Sequence, residues 1–113
     1  VGCLTVGSPD NTRRFLEGAG LAAFVDHVVT ASAAGVWKPH PRIYHVTAEQ
    51  LKTPIERMAL VAVHAWDCHG AKRAGALAGW CARLERQPGD VFLPADVRGE
   101  TLVEVADKLL ALE

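Results

Sequence analysis

Two hydrophobic patterns alternate along this chain. Ala59 to Val63 is an apolar run without polar interruption, the pattern of a strand buried on both faces. Strand-like runs also occupy Val1 to Thr5, Asp26 to Thr30 and Trp80 to Leu84, with a last short piece at Asp96 and Val97. Helical segments separate them. Ser8-Pro9-Asp10 reads as a helix start, because a serine oxygen can accept free backbone N–H groups, proline suits the first helical position and an acid complements the dipole. That helix runs to about Glu17 and stops at Gly18 and Gly20, with Phe15, Leu16, Leu21 and Phe24 as its apolar contacts. A second helix is predicted from Arg42 to Leu51, with Ile43, Val46 and Leu51 among its apolar positions. A third follows Asp67 and ends within Gly75 to Gly79. The last, Thr101 to Leu112, is amphipathic, with Leu102, Val105, Leu109 and Leu110 on its inner side. Ala31 to Trp37 reads as a small-residue loop, and Lys38-Pro39-His40-Pro41 as a rigid extended connection.

Strands alternating with helices imply parallel pairing through right-handed crossovers. The expected fold is a single α/β domain over residues 1–113, a three-layer Rossmann-like sandwich with a mostly parallel sheet. A formal net charge of −1 gives no electrostatic case for nucleic acid or an anionic membrane. No apolar run approaches the roughly 20 residues that span a bilayer. Three cysteines, Cys3, Cys68 and Cys81, form no disulfide framework and suit a reducing compartment, so the expected location is cytoplasmic. Cys3 and Cys81 read as buried small hydrophobes. No CxxC or HxxxH spacing supports a metal site built from Cys68, His64 and His69.

Asp67 is the candidate for chemistry. It is expected at the carboxyl end of the Ala59 to Val63 strand, the edge where open α/β sheets bind ligands. An acid at a strand-to-helix turn also serves as a helix cap, and the spacing leaves both roles open.

Three motifs together resemble the haloacid dehalogenase superfamily, and within it the type II L-2-haloacid dehalogenases. They are Leu4-Thr5-Val6-Gly7-Ser8, Trp37-Lys38-Pro39-His40-Pro41-Arg42-Ile43-Tyr44 and Ala62-Val63-His64-Ala65-Trp66-Asp67, in the family's order and at intervals of roughly 30 residues. In that family a nucleophilic aspartate displaces the halogen, and water hydrolyses the resulting ester. The resemblance implies that Thr5 hydrogen-bonds the substrate carboxylate or the nucleophile. Lys38 would keep the nucleophile ionised, and Asp67 would orient or activate the hydrolytic water. Thr5, Val6, Tyr44 and His64 would border a 2-haloacid or a related small acid, with no cofactor and no metal. Phosphatases of the superfamily place further carboxylates near the last motif to hold magnesium, where this chain has Ala62 and Val63. The dehalogenase branch often has Asn where Val6 stands, and Ser and Asn where Ala62 and His64 stand.

Only four residues precede Thr5, too few for the family's nucleophile strand and helical cap. In the family's sheet that strand lies in the centre, between the strands ending at Thr5 and near Val63. The expectation is therefore a C-terminal portion of a longer hydrolase, or a truncated relative whose two inner strands pair directly or recruit another chain. A homodimer is one way to supply that partner. A catalytically inert α/β binding module shares every one of these fold signals.

Overall fold

The computed structural model describes residues 1–112. Five short parallel strands and five α-helices follow one another as β1 (Gly2–Thr5), α1 (Pro9–Gly18), β2 (His27–Thr30), α2 (Ala31–Ala34), α3 (Pro41–Gln50), β3 (Ala59–Ala62), α4 (Ala65–Ala74), β4 (Leu77–Cys81), β5 (Val97–Gly99) and α5 (Leu102–Leu110). The helix starts follow local chemistry. Ser8 Oγ accepts the Asn11 N–H at 3.1 Å, Pro9 occupies the first turn of α1, and Thr101 Oγ1 accepts the Glu104 N–H at 3.1 Å to start α5.

The strands form two sheets. β1 pairs with β2, Gly2 opposite His27 through Thr5 opposite Thr30, while β3, β4 and β5 form a second sheet in that order. β1 and β3 are not hydrogen-bonded to each other, so direct pairing of the inner strands is not the solution this chain adopts. Between them lies a cavity of about 930 Å³, lined by Cys3, Leu4 and Thr5 on one side and Ala59, Leu60 and Val61 on the other.

Side-chain alternation on β4 establishes the layers. A Cβ on Gly79 would lie 2.4 Å from Val105 Cγ1, so that face meets α5, whereas Ala78 and Trp80 on the opposite face cluster with Ala65 and Cys68 of α4. Helix, sheet and helix are thus stacked. A second core cluster joins Ile43, Tyr44 and Ala48 of α3 to Ala71 and Ala74 of α4.

Several sequence expectations give way here. β3 is not buried on both faces: Ala59 and Val61, which share one face, are exposed and line the cavity. The strand expected at Trp80 to Leu84 begins earlier, at Leu77, and glycine lies inside it because α5 leaves no room for a Cβ there. Ala31–Ala34 is a helical turn rather than loop, started by Thr30 Oγ1 and ended by Gly35 at φ +73°. Lys38-Pro39-His40-Pro41 is not extended; the His40 N–H donates to Trp37 O at 3.0 Å and closes a turn around a cis Lys38–Pro39 bond. Of the apolar contacts expected near α1, Leu16 alone is buried; Phe15, Leu21 and Phe24 are exposed, and Phe15 borders the cavity. On α5, Val105 is fully buried and Leu109 partly so, while Leu102 and Leu110 face outward because only the narrow stripe through Val105 and Leu109 meets the sheet. Cys81 and Cys68 are buried, whereas Cys3 is only partly so.

Candidate active site

Asp67 does not terminate a strand. β3 ends at Ala62, and Asp67 is the third residue of α4, where the turn after His64 carries it inward until it is 5% exposed. Both carboxylate oxygens are engaged. The Lys38 ammonium donates to Oδ2 at 2.6 Å, and the Tyr44 hydroxyl donates to Oδ1 at 2.6 Å, with the Asp67 carbonyl oxygen 3.2 Å from the same hydroxyl. The ion pair is largely desolvated, with 12% and 7% of the two side chains exposed. Tyr44 is fully buried, and burial first, then its hydrogen bond to Asp67, raises its hydroxyl far above the ordinary phenol range. It is a permanent donor.

Three elements build this cluster. Lys38 comes from the turn before α3, Tyr44 from the first turns of α3 and Asp67 from the first turn of α4. Helices α3 and α4 approach closely because Gly70 faces Tyr44: a Cβ there would lie 2.6 Å from Tyr44 Oη and 2.6 Å from Pro39 Cβ. Glycine in a helix interior costs about 1 kcal/mol relative to alanine, a cost that this contact explains.

The remaining candidate residues divide by location. Thr5 and Lys38 both line the cavity between β1 and β3, where Thr5 Oγ1 accepts the Gly7 N–H at 3.0 Å and keeps its own proton to donate. Asp67 and Tyr44 stand behind Lys38 and do not line the cavity. Val6 is exposed beyond the strand end. His64 turns to another partner, its Nδ1 lying 2.9 Å from Glu85 Oε2 and its ring stacked on Trp66 at 5.7 Å between centroids.

Glu85 and Gly70 were not legible as site residues. Glu85 sits in the polar stretch after β4, and its other oxygen accepts the Ala65 N–H at 2.8 Å. That backbone donor, followed by His64, holds its carboxyl below the usual range. Cys68, beside Asp67, has its thiol pushed up to about 12 by burial and then by the neighbouring carboxylate. It is an inert packing residue.

Chemically, the cluster presents one fixed ammonium to the cavity. Asp67 and Tyr44 orient it, and Thr5 adds a hydroxyl at the adjoining strand end. The ammonium and the Thr5 hydroxyl can donate to an acceptor placed in the space between β1 and β3. No group of three His, Cys, Asp or Glu side chains able to hold a metal ion occurs among the described residues.

Comparison with known proteins is consistent in its direction. Residues 1–75 match the family described as hydrolase, haloacid dehalogenase-like hydrolase. The (S)-2-haloacid dehalogenase of Xanthobacter autotrophicus is 29% identical over 116 residues, covering 92% of this chain and 46% of that protein. The phosphoserine phosphatase of Thermus thermophilus is 36% identical over 103 residues, covering 90% of this chain and 41% of that protein. A crystal structure of a dehalogenase with an intermediate complex superposes with a TM-score of 0.85 at 25% identity, covering 93% of this chain and 46% of that one. The chain spans less than half the length of these relatives.

Proposed function

The chain belongs to the haloacid dehalogenase-like hydrolase family, and from that premise we propose that it is the part of a 2-haloacid dehalogenase that carries Thr5, Lys38 and Asp67. The observation that carries this reading is the Lys38 ammonium, held by Asp67 at 2.6 Å and facing a cavity between two unpaired strand edges. In the proposed reaction a carboxylate reaches that space on a strand seated between β1 and β3, contributed by a segment outside residues 1–113. Its oxygen bonds to C2 of a 2-haloalkanoate while the carbon–halogen bond breaks and halide leaves with the electron pair. Water then adds to the ester carbonyl carbon, the 2-hydroxy acid departs and the carboxylate is regenerated. Lys38 keeps the attacking carboxylate ionised and Thr5 holds a carboxylate oxygen, while Asp67, which does not line the cavity, fixes Lys38 from behind and the proton of the water passes to solvent. In this reading Tyr44 acts through Asp67 rather than on the substrate, and Val6 and His64, neither of which lines the cavity, do not contact it.

The test is halide release from 2-chloropropionate by the whole protein, compared with its Lys38→Met variant. Activity in the first and its loss in the second is expected; phosphate release from a small phosphomonoester without halide release would overturn the reading. The 36% identity to a phosphoserine phosphatase supports that alternative. Hydrogen exchange tests the seated strand separately. The backbone amides of β1 and β3 that face the cavity exchange fast in the 113-residue chain and become protected in the whole protein; equal exchange in both argues against a seated strand.

A further inference from the structure

We infer that Glu85 is a positioning residue for Asp67, acting across the first turn of α4. Helix α4 begins without a side-chain cap of its own: His64 occupies the cap position and its side chain makes no hydrogen bond to the free N–H groups. Glu85 takes over that task from 20 residues further along the chain. Oε1 accepts the Ala65 N–H at 2.8 Å and Oε2 meets His64 Nδ1 at 2.9 Å, so one carboxylate grips both residues that open the helix. The Asp67 N–H is bonded back to His64 O at 3.1 Å within the same turn. A shift of His64 and Ala65 therefore moves Asp67.

The geometry at the other end of that turn leaves little tolerance. Asp67 must meet Lys38 and Tyr44 at 2.6 Å each, and both partners come from outside α4. Trp80 reinforces the clamp, its indole Nε1 donating to Val63 O at 3.1 Å just ahead of His64. The strand end, the first helical turn and the loop after β4 are thereby tied into one unit whose output is the direction of the Asp67 carboxylate. A negatively charged acceptor suits this place because it faces the positive end of the helix dipole, and its Ala65 and His64 contacts hold it ionised.

The importance of this arrangement for catalysis rests on the reading of Asp67 as a site residue, but its test does not. Tyr44 is the one tyrosine in the chain, so its ring 13Cζ resonance reports the Tyr44–Asp67 hydrogen bond without assignment ambiguity. In Glu85→Ala that resonance is expected to move toward the position of an unbonded phenol, with the hydroxyl proton exchanging roughly fivefold faster, the factor that corresponds to one lost helix cap. Glu85→Gln, which keeps an oxygen for the Ala65 N–H, is expected to stay near the wild-type position. Thr101→Ala removes a cap of the same kind from α5 and controls for general loss of stability. A Tyr44 resonance unmoved in Glu85→Ala, or moved as far by Thr101→Ala, overturns the inference. A failed halide-release assay leaves this result untouched.

Discussion

Replacing Lys38 with methionine tests the central pair most directly. The substitution leaves the Asp67 carboxylate at 7% side-chain exposure with Tyr44 as its single side-chain partner. Removing one member of a buried ion pair costs about 3–5 kcal/mol, because the remaining charge stays desolvated and unpaired. A chain of 113 residues has a total stability on the order of 6–17 kcal/mol, so the loss is a large share of the whole. Urea unfolding followed by tryptophan fluorescence measures it: with m near 2 kcal/mol/M the midpoint falls by about 2 M. The reverse change is cheaper. Asp67→Asn keeps an oxygen for the Tyr44 hydroxyl and leaves an ammonium that borders the cavity, where water reaches it. The double variant Lys38→Met/Asp67→Asn recovers most of the single Lys38 loss, because no buried charge remains, and the coupling is at least about 2 kcal/mol. Raising NaCl from about 0.1 to 1 M changes these differences little, since a desolvated pair is weakly screened. A Lys38→Met cost within the 0–1 kcal/mol range of surface pairs refutes the reasoning, as does an Asp67→Asn cost that equals it.

Three further outcomes follow from the same geometry. Gly70→Ala is destabilising by about 1–3 kcal/mol in thermal melts, despite alanine's better helix propensity, because its Cβ meets Tyr44 Oη and Pro39 Cβ at 2.6 Å; a stabilised variant contradicts the close approach of α3 and α4. In the folded chain at pH 8 an aromatic disulfide reagent modifies Cys3 before Cys68, whose thiol is pushed up to about 12 and is 1% exposed; mass spectrometry of the labelled peptides reads the order, and early Cys68 labelling would falsify the burial argument. The folded carboxyl of Glu85 lies below its ordinary value, so its contribution is full above the unfolded value near 4.5 and disappears as pH falls through the folded one. Urea midpoints of wild type and Glu85→Gln should therefore differ at pH 7 and converge in acid, whereas a gap that widens in acid reverses the sign.

Much of the architecture was legible because it rests on local rules. The start of α1 was readable from Ser8 and Pro9, the end of α4 to within Gly75 to Gly79, and the parallel sandwich from the alternation of short apolar runs with helices. The resemblance of the three motifs implied one site holding Thr5, Lys38 and Asp67, and Lys38 and Asp67 do meet at 2.6 Å. Where local rules failed, a neighbour distant in the chain had decided the outcome. Gly79 lies within a strand because α5 presses on it, and Phe15 lies exposed because it borders the cavity beside β1.

By itself, then, the amino-acid order determined the alternating elements, their parallel arrangement and the residue types available for chemistry, since periodicity and capping act within a few residues. Only the tertiary structure decided what those residues do to one another. It carries Asp67 into a helix rather than leaving it at a strand end, places Tyr44 behind it, turns His64 toward Glu85 and keeps β1 apart from β3. Hydrogen bonds and desolvation depend on groups brought together across 20 or more positions of chain, and no local pattern encodes which of them will meet.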